Sequence, residues 1–336
     1  MIDTIYIEQA VIDHPRTSRI LRRFPGARKI ICERYTEIFN RKSQNFRLQK
    51  KHPALILANK FRQHVLPVPV NHGIGARNNY YFSHMLNCIY DCRYCFLQGM
   101  FRSAHYVLFV NYEDFLSAIN KKIKQHGDET TQFFSGYDCD SLALEPVTHF
   151  TDYFLPLFEK TPHANLELRT KSLQIRPLLE RQPLDNVIVA WSFTPDEIAD
   201  ALEHKTPSVD RRIEALIKLQ KAGWSTGLRF DPLIYDINFQ KNYEGLFSKI
   251  FNKIDMDRLH SVSLGCFRLP RDYFRKIQQL YPDEPLFASP LEVNNGITGY
   301  RQKLEKEMLD YCSKKILSLV PEEKFFPCHN LVQNNA

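Results

Sequence analysis

Hydrophobic and polar positions along the chain follow two alternating periods. Short apolar runs rich in β-branched and aromatic residues predict buried strands, and apolar residues spaced three or four apart predict amphipathic helices. The clearest helical pattern, residues 210–222, is followed by Gly223, a residue typical of helix C-caps. In the central region the predicted strands are 79–85, 130–136, 164–170, 187–193, 226–230 and 262–267, and the predicted helices are 112–125, 147–160, 173–180 and 210–222.

The alternation of strands and helices indicates the fold class. Consecutive strand–helix units build a parallel sheet with right-handed crossovers, and six such units predict an α/β fold with an open, partial (β/α)6 barrel over residues 76–290. Residues 1–75 form a small N-terminal α/β region, with predicted strands at 5–7 and 29–32. Residues 291–336 form a C-terminal extension.

Cys88, Cys92 and Cys95 form a C-x3-C-x2-C motif directly after the first predicted barrel strand. Ordinary electron-transfer clusters are held by four cysteines, whereas three thiolates on one loop can hold three irons of a [4Fe–4S] cluster and leave the fourth iron open. The open iron can be chelated by the amino and carboxylate groups of S-adenosylmethionine, and reduction then cleaves that cofactor to a 5′-deoxyadenosyl radical. Barrels of this kind place their active sites at the C-terminal rim, where this loop begins.

Zinc is the main alternative for the three cysteines. Structural zinc sites usually combine one C-x2-C pair with a second pair or with two histidines, and the sequence has no such second pair. Tyr94 and Phe96, on either side of Cys95, suit a radical enzyme, in which an apolar side chain shields the cluster and the adenine. The motif therefore favours the iron–sulfur cluster.

Charge and composition narrow the cellular setting. The 336 residues carry a formal net charge of +7 and include 8 cysteines, which fit a reducing cytoplasm better than a disulfide framework. The chain starts without a signal-peptide pattern and contains no apolar run long enough to cross a membrane. We therefore expect a cytoplasmic protein with no membrane partner. Basic residues cluster in the first 52 positions, where they form either a solvated surface or a phosphate-binding face.

Several segments, taken in order and spacing, resemble the spore photoproduct lyase family of radical S-adenosylmethionine (SAM) enzymes. The resemblance covers residues 3–325 and begins with the cysteine loop ending Tyr94-Cys95-Phe96-Leu97-Gln98. The other matching segments are 106–111, 168–171, 191–194, 203–213, 222–224 and 231–235. The resemblance implies a barrel of the radical SAM type and a lyase that repairs a DNA photolesion. It also implies DNA as a partner and an electron donor such as flavodoxin or ferredoxin.

The resemblance also implies which residues bind the cofactor. Lys171 and Ser192 match residues that contact the carboxylate and the amine of SAM. Thr194 matches a position near the ribose. Gly136 ends the second predicted barrel strand, where the wider superfamily recognises the cofactor's amine, and Phe96 is the side chain expected to shield the adenine.

Two positions depart from the family's pattern around the hydrogen donor. The lyase quenches its substrate radical with a cysteine just after the second strand, but the matching position here, aligned through Asp140, is Tyr137. Cys139 follows two residues later. The tyrosine that follows the third cluster cysteine in the lyase is replaced by Phe96, whereas Tyr94 is retained. Tyr94, Tyr137 and Cys139 are therefore the candidate catalytic residues.

A third departure leaves the substrate open. Residues 294–301, where the lyase has a DNA-contacting hairpin, are less basic in this chain. Besides a damaged pyrimidine in DNA, the alternatives are radical modification of RNA or a small molecule, and a non-catalytic iron–sulfur or zinc protein that binds nucleic acid. Cofactor cleavage separates the last alternative from the others, and product analysis separates the first two.

Overall fold

The computed structural model describes residues 2–69 and 73–328, and its elements follow the periods of the sequence. The strands are β1 (Thr4–Glu8), β2 (Arg28–Cys32), β3 (Leu55–Ala58), β4 (Leu66–Pro67), β5 (Asn78–Phe82), β6 (Met85–Leu86), β7 (Asp91–Cys92), β8 (Tyr106–Phe109), β9 (Thr131–Ser135), β10 (Ala164–Thr170), β11 (Val187–Ser192), β12 (Glu203–His204), β13 (Ser225–Leu233), β14 (Leu259–Cys266), β15 (Arg268–Pro270), β16 (Leu291–Asn294), β17 (Ile297–Tyr300) and β18 (Phe325–Pro327).

The α-helices cover the outer faces of these strands. They are α1 (Pro15–Arg22), α2 (Tyr35–Phe39), α3 (Phe46–Lys51), α4 (Leu97–Met100), α5 (Tyr112–His126), α6 (Glu145–Thr148), α7 (Phe150–Glu159), α8 (Arg176–Leu179), α9 (Asp196–Leu202), α10 (Val209–Lys221), α11 (Phe239–Phe251), α12 (Arg271–Leu280) and α13 (Gln302–Leu317). Among the described helices, none is both long enough and apolar enough to span a bilayer.

The larger sheet is a curled half-barrel, and it confirms the predicted fold class. Its described strands run in the order β18-β14-β13-β11-β10-β9-β5-β4. The strands β5, β9, β10, β11, β13 and β14 pair in parallel and are the six predicted barrel strands. Because parallel strands point the same way, their carboxyl ends form one rim, where a site can draw on several strands at once.

Just before the cysteine loop, the chain enters a second, smaller sheet. Its described strands run β2-β1-β3-β8-β6, with β6 antiparallel to β8. The predicted strand at 79–85 was therefore too long: β5 ends at Phe82, and β6 belongs to this other sheet. The reversal follows at Asn87, whose φ is +67° and whose amide donates to the carbonyls of Ser103 and His105, both at 2.7 Å. The division at residues 75 and 290 stays a prediction.

Two predicted helices are shorter than their patterns. The helix at 147–160 is interrupted at His149, whose φ is +48°, because the buried Glu145 carboxylate accepts the first N–H groups of α7, from Phe150 and Thr151, at 3.0 Å each. The helix at 173–180 shrinks to the single turn of α8. Pro177 is tolerated only in the first turn of a helix, so this helix cannot begin earlier.

A buried ion pair ties the strands together beneath the rim. Arg229 on β13 donates from Nη2 to Glu167 Oε2 at 2.7 Å and from Nε to Oε1 at 3.1 Å, and both side chains are fully buried. Glu167 and Arg229 share a strand face with Arg169 and Asp231, since alternate residues of a strand point the same way. The ion pair therefore lies next to Arg169 and Asp231 on that strand face and supports the residues at the rim.

Candidate active site

The cysteine loop is held against the rim by pairing with a distant segment. β7 pairs antiparallel with β12, so that Cys92 lies opposite Glu203. The Arg93 N–H donates to the Leu202 carbonyl at 2.8 Å. Inside the loop, the Gln98 amide donates to the Cys92 carbonyl at 2.7 Å. The loop is thus fixed from both sides, through backbone bonds to α9–β12 and through its own buried amide.

One cavity of about 900 Å³ at the carboxyl rim collects almost every predicted site residue. Its volume lies within the range of small-molecule and cofactor sites. The predicted residues that line it are Cys88, Cys92, Cys95, Tyr94, Phe96, Gly136, Tyr137, Cys139, Lys171 and Ser192. The structure therefore brings together residues from the cysteine loop and from the ends of β9, β10 and β11.

Thr194 is the exception among the predicted cofactor residues. It is 2% exposed, and its hydroxyl donates to Glu203 Oε1 at 3.0 Å rather than lining the cavity. The predicted contact of Thr194 with the ribose therefore stays a prediction. In the described structure, its hydroxyl helps to hold a buried carboxylate in place.

The three cysteines are free thiols whose environment disfavours the bare thiolate. Burial raises the pKa of Cys88 well above its usual range, raises that of Cys92 to about 12, and also raises that of Cys95. The charge of Lys171 acts in the opposite direction on Cys92 and Cys95. Binding a metal would release the thiol protons, so the loop is a site in which metal uptake and deprotonation are coupled.

The donor set fits a four-iron cluster better than a single ion. Within residues 2–69 and 73–328, no group of three His, Cys, Asp or Glu side chains is gathered as one metal ion would require. A four-iron cluster binds each thiolate to a different iron, so its ligands stand farther apart than those of one zinc ion. Three free thiols on one loop, all facing one cavity, match that requirement.

Gly136, just after β9, lines the cavity at a point of close packing. Its φ is +78°, and an added Cβ would lie 2.5 Å from Ser141 Oγ and 3.1 Å from the Arg169 carbonyl oxygen. Only glycine fits this position without strain. Close packing against Ser141 and Arg169 therefore requires a glycine at this point of the cavity lining.

A carboxylate that the sequence analysis used only as an alignment anchor positions Lys171. Asp140 accepts the Lys171 N–H at 2.7 Å and the Thr170 hydroxyl at 2.6 Å. It also accepts the N–H groups of Leu142 and Ala143 at 3.0 and 2.9 Å. The end of β10 is thereby fixed to the loop after β9, and the Lys171 side chain starts from a rigid backbone. The only signal for Asp140 in the sequence was its match to the family just after the second predicted barrel strand.

Glu203 is the second functional residue that the sequence analysis passed over. Its Oε1 accepts the phenol O–H of Tyr94 and lies 3.8 Å from Lys171 Nζ. Arg212 Nη2 lies 2.5 Å from Oε2, as an ion pair without the alignment of a hydrogen bond. Burial raises the pKa of Glu203, but Lys171 and Arg212 outweigh it and hold that pKa below its usual range. Glu203 and Arg212 both lie in the matching segment 203–213, which was the only signal for them.

The end of the cavity next to Phe96 is aromatic and charged. Tyr137 is 37% exposed, stacks on Tyr81 with ring centroids 4.4 Å apart, and lies 5.8 Å from the ring of Phe96. Arg268 Nη1 pairs with Asp231 Oδ1 at 3.2 Å on the same wall. This end offers stacking surfaces and hydrogen-bond donors beside the cysteine loop, as a planar, polar substrate would need.

The half-barrel and its three-cysteine loop define a partial barrel of the radical SAM type. The chain belongs to the spore photoproduct lyase family, because the family model described as spore photoproduct lyase matches residues 75–296. The resemblance read from the sequence is thus confirmed.

Individual relatives are distant in sequence and similar in fold. The chain is 26% identical over 202 residues to spore photoproduct lyase of Bacillus subtilis (strain 168), an alignment that covers 59% of each protein. It is 24% identical over 294 residues to the Clostridium acetobutylicum protein of the same name, covering 85% of this chain and 84% of the relative. A solved spore photoproduct lyase variant with bound AdoMet and dinucleoside spore photoproduct superposes with a TM-score of 0.85 at 20% identity, covering 98% of both chains.

Proposed function

We propose that this protein is a radical SAM lyase that reverses the spore photoproduct, a thymine lesion of DNA. The observation that carries the proposal is the convergence of three free thiols with Lys171, Ser192 and Gly136 on one cavity. Family membership supports it. The similar solved structure that holds both AdoMet and the dinucleoside lesion indicates that this fold accommodates cofactor and substrate together.

The cysteines Cys88, Cys92 and Cys95 would hold the [4Fe–4S] cluster, and Lys171 with Ser192 would bind the methionyl group of SAM. The reduced cluster with bound SAM would supply the radical chemistry of the reaction, in which a hydrogen atom is abstracted from the substrate. The rings of Phe96 and Tyr137, 5.8 Å apart, line the cavity and give it aromatic surface. Lys171 presents its ammonium from a backbone that Asp140 fixes, so its orientation costs little on binding.

Cys139 is the hydrogen donor that the surroundings favour. Burial raises the pKa of Cys139 well above its usual range, so its S–H is protonated at neutral pH and can donate a hydrogen atom. The O–H of Tyr94 is already donated to Glu203. Tyr137 faces the cavity and is partly exposed. We infer that Cys139 donates its own hydrogen atom to the substrate radical and is left as a thiyl radical, and that Tyr137 shapes the pocket for the lesion. One electron from the external reductant and one proton from water would restore the thiol.

An assay with a spore-photoproduct oligonucleotide tests the function and the donor together. Under anaerobic conditions with dithionite and SAM, the wild-type protein should restore thymine. Cys139→Ala should lose repair or accumulate trapped adducts, whereas Tyr137→Phe, which keeps the ring and removes only the hydroxyl, should still repair. Loss of repair in Tyr137→Phe alone would transfer the donor role to the tyrosine.

A second candidate function is radical modification of RNA or a small molecule. It is favoured by the hairpin of β16 and β17, whose tip is exposed and carries Val293 and Ile297 at 53% and 39% exposure rather than a cluster of basic side chains. Wild-type protein that cleaves SAM but never restores thymine would replace the lyase proposal with this one. Protein that holds a cluster and cannot cleave SAM would instead be a non-catalytic iron–sulfur protein.

Replacing Lys171 with alanine is expected to weaken SAM binding by about 1–3 kcal/mol, the range for a lost hydrogen bond to a charged group. Affinity is measured by calorimetry on the reconstituted protein. Lys249→Ala is the matched control, because Lys249 also pairs with carboxylates, Asp196 and Asp210 at 2.9 Å each, but does not line the cavity. Equal affinity in the two variants would remove Lys171 from the cofactor site.

We propose a cytoplasmic setting and an external electron source. All eight cysteines are free thiols, which supports a reducing compartment. The sequence contains one three-cysteine motif, and the remaining cysteines do not repeat its spacing. Electrons must therefore come from another molecule, and flavodoxin or ferredoxin is the proposed donor. The test of this donor is to reduce the reconstituted protein with flavodoxin or ferredoxin and to monitor the reduction through the cluster's absorbance.

A further inference from the structure

Glu203 is a fully buried carboxylate that touches neither solvent nor the cavity. Its side chain is 0% exposed, and it lies in the two-residue strand β12, directly opposite Cys92 of the cysteine loop. Burying a charge costs several kcal/mol unless partners compensate for it. A carboxylate in this position therefore has a role that an apolar side chain of the same size would not serve.

The partners of Glu203 come from every element around the cysteine loop. Oε1 accepts from the Tyr94 phenol, two residues after Cys92, and from the Thr194 hydroxyl at 3.0 Å. Lys171 Nζ, at the end of β10, lies 3.8 Å from the same oxygen. That distance exceeds a hydrogen bond, so the ammonium keeps its donors for the cavity.

Arg212 completes the arrangement on the side away from the cavity. Besides the 2.5 Å ion pair with Glu203, it donates from Nε to the Pro207 carbonyl at 2.8 Å and from Nη1 to the Ser192 carbonyl at 3.2 Å. Its Nη2 also donates to the Thr206 hydroxyl at 2.8 Å. Arg212 is thereby locked, and it cannot turn toward the cysteines if Glu203 loses its charge.

The charges of this group act on the cluster ligands. Two cations, Lys171 and Arg212, surround one anion, so the group carries a formal charge of +1. Glu203 lies directly opposite Cys92 in the β7–β12 pair, and its cationic partners Lys171 and Arg212 lie 3.8 and 2.5 Å from its carboxylate oxygens. The negative charge of Glu203 therefore opposes added negative charge at the Cys92 sulfur, through a buried region where screening is weak.

We propose that Glu203 sets the reduction potential of the cluster bound at Cys88, Cys92 and Cys95. Net charge and hydrogen bonding around a cluster are among the determinants of its potential. A reduced cluster carries one more negative charge than an oxidised one, and Glu203 disfavours that charge. Glu203 is thus a positioning residue that keeps the potential low, while it anchors Tyr94 and leaves Lys171 oriented toward the cavity. This inference rests on the proposed function, because it requires the cluster.

The test is an EPR-monitored redox titration of anaerobically reconstituted protein. Glu203→Gln keeps the shape and an acceptor for Tyr94 but removes the charge. The reduced-to-oxidised ratio at a given potential should rise about tenfold, which is a positive shift of about 59 mV for a one-electron couple. Glu203→Asp, which keeps the charge, should stay closer to the wild-type potential.

Glu167→Gln is the matched control. Like Glu203, Glu167 is fully buried, lies outside the cavity lining and pairs with a buried arginine, Arg229, but it is not paired with the cysteine loop. Its substitution should cost stability and leave the potential of the folded protein at the wild-type value. Equal potentials in Glu203→Gln and Glu167→Gln would overturn the inference and leave the proposed function intact.

The effect of the Glu203 charge on the reduction potential can also be measured in a Lys171→Met variant. Lys171→Met should lower the potential, and adding Glu203→Gln to it should raise the potential again, close to the wild-type value, because the formal charge returns to +1. If every variant without the Glu203 charge failed to hold a cluster, the residue would be structural and the inference wrong. Wild-type protein that takes up no iron would overturn the proposed function and this inference with it.

Discussion

Protein in which Cys88, Cys92 and Cys95 are all replaced by alanine is expected to bind no iron, where the parent chain takes up about four irons and four sulfides. The three thiols are the described donors gathered on the loop at the rim, and all of them face the same cavity. Each thiol would hold its own iron, so single replacements should also abolish the visible absorbance shoulder of the cluster. Iron and sulfide analysis after anaerobic reconstitution measures both effects.

Cys312→Ala is the control for the cysteine series. Cys312 is a fully buried free thiol in α13 and lies outside the cavity. Its replacement should leave the iron content unchanged. A triple variant that still bound a full cluster would show that the loop is not the iron site.

Glu167→Ala is expected to destabilise the fold by about 3–5 kcal/mol, because it leaves the buried Arg229 guanidinium without its counter-charge. Burial raises the pKa of Glu167, but the charges of Arg229 and Arg169 outweigh it and hold that pKa at about 2, below the usual 4.5. A carboxyl group whose pKa is lower in the folded protein than in the unfolded chain stabilises the fold at pH values above its unfolded pKa. The contribution is therefore complete above pH 4.5 and is lost as the pH falls toward 2.

Urea unfolding at neutral and acidic pH measures this effect. Glu244→Ala provides the comparison, because Glu244 pairs with Lys315 at the surface, with both side chains substantially exposed. The surface variant should unfold at the wild-type denaturant concentration. The gap between wild-type protein and Glu167→Ala should narrow below pH 4.5, and a gap that stayed constant to pH 2 would contradict the ion-pair explanation.

The barrel strands were predictable because the residues of each strand form a recognisable apolar run in the sequence. The run at Ala164–Thr170 coincides with β10, and the runs that became β9, β11 and β14 are displaced by no more than a few residues. Burial on both faces demands continuous apolar runs, which a local reading detects. The strand predicted at 79–85 was too long because a contact distant in sequence, the pairing of β6 with β8, decided the outcome. The helix break at His149 has a nearer cause, because the Glu145 carboxylate accepts the N–H of Phe150.

The residues of the candidate site were likewise predictable where their signal is local in sequence and missed where their partners are distant. The three cysteines lie within eight positions, so their spacing alone indicated a cluster. Lys171 and Ser192 were placed through family resemblance, and the structure brings both to the cavity. Asp140 and Glu203 were missed because their roles depend on partners 31 and 109 residues away in sequence. Buried carboxylates have no local signature, since the residues that make them tolerable come from other elements.

The sequence by itself determined the open α/β barrel and the cysteine loop, because these depend on short-range periodicity and spacing. It indicated the family through the resemblance of the matching segments, taken in order. The tertiary structure decided how the site is arranged: β6 leaves the barrel for the smaller sheet, and β12 returns from residue 203 to pair with Cys92. It also decided that Thr194 faces Glu203 instead of the cavity. Such placements follow from backbone pairing and buried charge compensation between distant segments, which become defined only when the chain has folded.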